Sequence, residues 1–171
     1  MPNDVFSVPD SFQLPVLQPL NVWYTDLNKK PEEILPDFPL LFDVLQSENK
    51  FVSYSPWKHH EHTVPLLFGY CRDVSARQED RFRQERGKAS PELTGRLFCL
   101  FIACLHWAGG QPVSSLQKEP PNLGTEPLNL RERLGYIKEN PLQFHSFIQL
   151  NQLVTELEKL YLKKMAMSKY K

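Results

Sequence analysis

The chain has 171 residues and 20.0 kDa, with 20 Lys plus Arg against 20 Asp plus Glu, 41% hydrophobic and 12% aromatic residues. That apolar content excludes global disorder, and the zero net charge excludes an acidic tail protein or a wholly basic nucleic-acid binder; a chain of this length needs no metal or disulfide to fold. The charge is uneven, with nine acids and four bases in residues 1–70 against eleven acids and sixteen bases in residues 71–171, a dipole that bears on partners more than on fold.

Residues 1–39 read as a proline-rich arm. Prolines at 2, 9, 15, 19, 31, 36 and 39 exclude a long helix and predict extended segments with turns. Val5, Phe6, Val8, Phe12, Leu14, Val16, Leu17, Leu20, Val22, Trp23 and Tyr24 supply more apolar area than a solvated tail needs, so the arm is expected to wrap over a helical body.

Leu41, Val44 and Leu45 predict a short helix near Leu40 to Gln46, entered from Pro39. From about Val64 the spacing Val64, Leu67, Phe68, Cys71, Val74 marks the buried stripe of a second helix with Pro65 in its first turn, thinning to Phe82 and ending near Gly87. Ser90, Pro91, Glu92 is a helix start, because a hydroxyl cap, a proline and an acid each suit the amide-rich end. The run Leu97 to Leu105 is apolar on every side, which predicts the centre of a bundle, and Gly109 and Gly110 stop it. Extended to Ala108 the run is about twelve residues, where a membrane span needs roughly 20.

Residues 111–127 form a long loop with prolines at 112, 120, 121 and 127, and loops of this length tend to be functional or disordered. Asn129 followed by Glu132 predicts a capping box for a helix running to about Glu139, stopped by Asn140 and Pro141. The last helix is strongly periodic: Phe147, Leu150, Leu153, Val154, Leu157, Leu160 and Tyr161 share one face. The expectation is therefore a mainly α fold: a single domain over 1–171, a compact bundle of five or six helices around the Leu93–Trp107 helix, with the arm packed on it.

Few residues suggest chemistry. Cys71, Cys99 and Cys104 are odd in number and at no zinc spacing, and with no secretory leader in sight they read as reduced, buried thiols of a cytoplasmic protein. No nucleophile elbow, phosphate-binding glycine loop, dinucleotide fingerprint or zinc-protease helix pair occurs in the sequence. The sharpest cluster is His59, His60, Glu61, His62. Imidazole and carboxylate suit zinc or iron-type ions, but on a helix only His59 and His62 converge and on a strand only His60 and His62 do, so at least one further ligand must come from elsewhere, with His60, Glu61, His145 or Cys71 as candidates beside the His59–His62 pair. The same run serves equally as a polar turn covering the helix that follows. Arg72, Arg77, Arg81, Arg83, Arg86 and Lys88 are diluted by acids at helix-pair spacing, whereas Lys159, Lys163, Lys164, Lys169 and Lys171 are free of them and would contact phosphates in a salt-sensitive, nonspecific way.

The stretch from Pro127 to Tyr161 resembles the C-terminal part of the YpoC family of small Firmicute proteins, in its Leu130-Arg131-Glu132-Arg133-Leu134 helix, the Asn140-Pro141 break, and Phe144, His145, Ser146, Phe147 opening the last helix. The resemblance implies no catalytic residues. Its members' gene neighbourhoods, near replication initiation, base-excision repair and cell-wall synthesis, imply an accessory role linked to DNA or envelope.

The expected function is a noncatalytic cytoplasmic accessory or protein-interaction module without cofactor or membrane attachment. Trp57 and Trp107 are its expected exposed anchors, and His145, Lys163 and Lys164 its candidate partner-binding side chains. The alternatives are a metal-dependent hydrolase or metal-binding bundle using the His59–His62 cluster, and a weak nonspecific DNA-binding protein using the lysine-rich end.

Overall fold

A computed structural model describes residues 4–14, 22–50, 54–84, 89–120, 124 and 126–170. The fold is mainly helical. In chain order the elements are strand β1 (Asp4–Ser7), a 3-10 turn at Asp10–Phe12, strand β2 (Val22–Thr25), helices α1 (Pro31–Ile34) and α2 (Leu41–Ser47), a 3-10 turn at Pro56–His59, and helices α3 (His60–Gln84), α4 (Pro91–Trp107), α5 (Leu130–Glu139) and α6 (Phe144–Ser168).

Helix α4 is the centre, as its all-round apolarity demands. Of its residues only Pro91, Glu92 and Arg96 are not buried, and it packs against α3, α6 and the Pro56–His59 turn. Its start is the expected one: the Ser90 hydroxyl accepts the Leu93 amide at 3.3 Å, with Pro91 in the first turn. At its other end Gly110 takes φ 75°, a left-handed conformation that glycine adopts without strain.

Helix α3 starts earlier than its stripe suggests. The Pro56–His59 turn runs directly into it, and the Thr63 hydroxyl donates to the carbonyls of Pro56 at 3.0 Å and His59 at 3.2 Å, so the histidine run lies on helical backbone. Pro65 consequently sits inside the helix, where its missing N–H leaves unpaired only a carbonyl of the first turn. The stripe Val64, Leu67, Phe68, Cys71, Val74 is buried as expected. It continues through Gln78, whose side-chain amide donates to the Thr94 hydroxyl at 2.6 Å and whose oxygen accepts the Ser90 amide at 3.1 Å.

The α6 face is buried over Phe147, Leu150, Leu153, Val154, Leu157 and Tyr161, with Leu160 half-buried. Helix α5 packs against α6. Its start departs from the expected capping box, because Asn129 adopts a left-handed φ of 56° and its side chain makes no cap. Only its carbonyl joins the helix, accepting from the Arg133 amide at 3.1 Å.

The arm belongs to the core. Strands β1 and β2 pair antiparallel with Val5 opposite Tyr24 and Phe6 opposite Trp23; Phe6, Val8, Phe12, Leu14 and Trp23 are buried, whereas Val5 points outward, as a period of two requires. The expected burial of Val16, Leu17 and Leu20 and the helix stop at Gly87 lie outside the described residues. Among the described residues no helix is long and apolar enough to cross a membrane.

Candidate functional site

The histidine run does not converge. The His59 ring stacks on Tyr54, 5.2 Å between centroids. His60 Nδ1 stands 3.2 Å from the Tyr161 hydroxyl, which donates to the His60 carbonyl at 3.0 Å. His62 Nε2 lies 3.2 Å from Glu32 on α1, and the Glu32 carboxyl is held below its ordinary value, first by a hydrogen bond from its own backbone and then by His62. His60 and His62 thus tie α3 to α6 and α1, while His59 packs within the turn that precedes α3. His145 stands at the start of α6, its ring edge-on to Tyr136 at 5.4 Å, and Cys71 is buried. Among the described residues no group of three or more His, Cys, Asp or Glu side chains is placed to hold a metal ion.

The thiols lie in the apolar interior, as expected. Burial, and then contact with Cys71, pushes the Cys104 thiol well above its ordinary value, which disfavours the reactive thiolate.

Trp57 and Trp107 are not exposed anchors. Trp57 is 4% exposed and Trp107 is fully buried, because one lies in the turn that packs on α4 and the other in α4 itself. Of the basic residues, Arg72 crosses to Glu158 on α6 at 2.9 Å, while Arg83 pairs with Glu79 at the expected spacing. Lys164 is committed: its Nζ donates to the Ala108 carbonyl at 3.2 Å, where the negative end of α4 favours a cation. Lys159, Lys163 and Lys169 are exposed beside exposed Leu162, Met167 and Tyr170.

A different surface emerges at the α5–α6 corner. Phe144 is 52% exposed and Leu142 39%. Beneath Phe144 lie Phe82 of α3, edge-on at 4.9 Å, and Phe147 at 6.3 Å; the next residue, the exposed His145, meets Tyr136 of α5 edge-on at 5.4 Å. The Asn140 break creates this patch. The Ser146 hydroxyl donates to the Asn140 carbonyl at 2.6 Å, closing the turn so that the first turn of α6 carries Phe144 at the surface and Phe147 in the core.

Asp43 is the residue that the sequence reading missed. It is fully buried in α2; its Oδ2 accepts the Trp107 indole N–H at 3.0 Å and the Val113 amide at 2.7 Å, and its Oδ1 has no partner among the described residues. Burial pushes its carboxyl up to about 7, against the lowering effect of those two hydrogen bonds. The only signal in the sequence is a lone acid inside Leu41-Phe42-Asp43-Val44-Leu45, at a position flanked by apolar residues on both sides.

A family model described as YpoC-like protein matches residues 61–169. An uncharacterized protein of Bacillus subtilis (strain 168), YpoC, is 35% identical over 118 residues, covering 67% of this chain and 71% of its own length. No solved structure matches. The matched span holds α4, α5, α6, the Phe144 patch and both protein donors to Asp43, but not Asp43 itself.

Proposed function

Because the chain belongs to the YpoC-like family, we propose that it acts as one helical unit, a noncatalytic cytoplasmic accessory module that binds a protein partner through the corner formed by Leu142, Phe144, His145 and Tyr136. The observation that supports this is the half-exposed Phe144 held by Phe82 and Phe147. An aromatic ring kept rigid yet solvent-facing loses little side-chain entropy on docking and buries a large apolar area, which is how interface anchors gain their energy. An exposed polar rim of His145 and Gln143 surrounds it, the usual border of a non-obligate interface.

The test is affinity capture from a bacterial lysate with the unsubstituted protein and a Phe144→Ser, His145→Ala variant, each checked by thermal unfolding. A protein retained by the former and lost by the equally folded variant supports the reading. Equal retention by both, or a partner that instead follows deletion of residues 163–171, overturns it.

A further inference from the structure

Residues 111–120 follow the α4 turn without helix or strand, yet Val113 and Leu116 are buried. The segment is held at a few mapped points. The Val113 amide donates to Asp43 at 2.7 Å, the Leu116 amide to the Ser11 carbonyl at 2.7 Å, and the Gln117 side-chain amide to the Gln13 carbonyl at 2.7 Å. Lys138 Nζ donates to the Leu116 carbonyl at 3.0 Å. It therefore links α2, the arm and α5, where Arg131 also pairs with Glu119 at 3.2 Å, and of its ionisable partners Lys138 and Arg131 meet solvent and Asp43 does not.

The carboxyl of Asp43 is poorly provided for as an anion. Both of its donors address Oδ2, leaving Oδ1 without a partner among the described residues, and a fully buried carboxylate so provided for is costly. Among the described residues its hydrogen-bond partners are the Trp107 indole and the Val113 amide. No charged side chain contributes to its electrostatics, which is set by burial, the indole, the Val113 amide and its own backbone. A proton on Oδ1 removes the charge and leaves Oδ2 as the shared acceptor.

We propose that residues 111–120 form a proton-gated strap, which lies closed against α2 and the end of α4 while Asp43 carries its proton and opens locally once the proton is lost, hydrating the carboxylate and freeing Ser11 and Gln13 of the arm. The sign follows from linkage. The closed form holds the proton up to about 7, whereas the hydrated carboxyl of the open form releases it near 3.8, so the opening equilibrium grows with pH between those values and is level above them. The growth is on the order of a hundredfold to a thousandfold.

Native-state hydrogen exchange read by NMR tests this, with rates corrected for the pH dependence of the exchange chemistry. The expected result is that the Val113 and Leu116 amides are less protected at neutral pH than those of Leu100 and Phe101. Their protection should fall at least a hundredfold from pH 4 to pH 7, and Asp43→Asn, which keeps an acceptor but cannot ionise, should flatten the profile. Strap amides that exchange in step with Leu100 and Phe101 at every pH, or that show no pH dependence, overturn the proposal. Should the Asn variant fail to fold, the carboxyl carbon shift of Asp43 in the unsubstituted protein decides: a midpoint near 7 that tracks strap protection supports it, and ionisation near 4 overturns it.

Discussion

The Tyr161 hydroxyl donates to the carbonyl of His60 at 3.0 Å, joining residues 101 positions apart in the chain, and the Nδ1 of the same histidine approaches that hydroxyl at 3.2 Å. One side chain of α6 therefore pins the start of α3, and its ring stays 1% exposed while doing so. Tyr161→Phe keeps the packing and removes the hydrogen bonding, which should cost about 1–2 kcal/mol. Urea unfolding of the two proteins measures it, and an unchanged midpoint would show that water replaces the hydroxyl at no cost.

Asp43 and His106 set opposing pH dependences of global stability. Asp43 holds its proton to about 7 when folded and to 3.8 when unfolded, so its contribution declines as pH rises across that interval. Burial depresses His106 from 6.5 to about 4, so the folded state resists its protonation and stability declines as pH falls from 6.5 toward 4. Each slope is about 1.4 kcal/mol per pH unit and the two have opposite signs, so they cancel across most of this window. Asp43→Asn should therefore expose an acid destabilisation that the unsubstituted protein lacks. Parallel urea-midpoint profiles from pH 4 to 6.5 would refute the pairing.

Arg133 grips Glu156 with both Nη atoms, at 2.9 and 3.0 Å, while its Nε reaches Gln149 at 3.3 Å. Its side chain is 17% exposed, so this fork holds α5 to α6 better than an open surface pair would. A lysine matches neither the geometry nor the additional contact. A double-mutant cycle on Arg133→Lys and Glu156→Gln should give a coupling of about 1 kcal/mol, discounted for the exposure of Glu156. Additive effects in that cycle would reduce the pair to a solvated contact.

The divergence of the histidines predicts their behaviour toward metals. Protein purified without a histidine tag should carry no stoichiometric zinc, iron or manganese, and a His59→Ala, His60→Ala, His62→Ala variant should show the same elemental composition. Its loss should appear in stability instead, because His60 and His62 tie α3 to Tyr161 and Glu32. Near-stoichiometric metal in the unsubstituted protein, absent from the variant, would restore the metal-centre reading.

The candidate surface was only half legible in sequence. Phe144 and His145 stand out as the opening of a periodic helix after Asn140-Pro141, but periodicity gives two aromatics three residues apart no means of dividing into one buried and one exposed. That division depends on where Phe82 of α3 meets them. Trp57 and Trp107 misled for the same reason: a large amphipathic ring suits an interface and a core alike, and what surrounds it decides.

The sequence by itself determined helices α2 to α6 and their order, though not the short α1 inside the proline-rich arm, since apolar spacing, the Ser90-Pro91-Glu92 start and the glycine and proline stops are local signals that act within a few residues. It also determined that α4 is central, because a helix apolar on every side has no stable place at a surface. Only the tertiary structure decided that α3 begins at His60 and that Gln78 caps the neighbouring helix. It alone sent the histidines to three separate partners, committed Lys164 to the end of α4, and buried Asp43 beneath a loop 70 residues away. Apart from the local contacts of Thr63 and His59, these rest on hydrogen bonds between segments apart in the chain, and the strength of such a contact is set by burial and geometry, which no local spacing encodes.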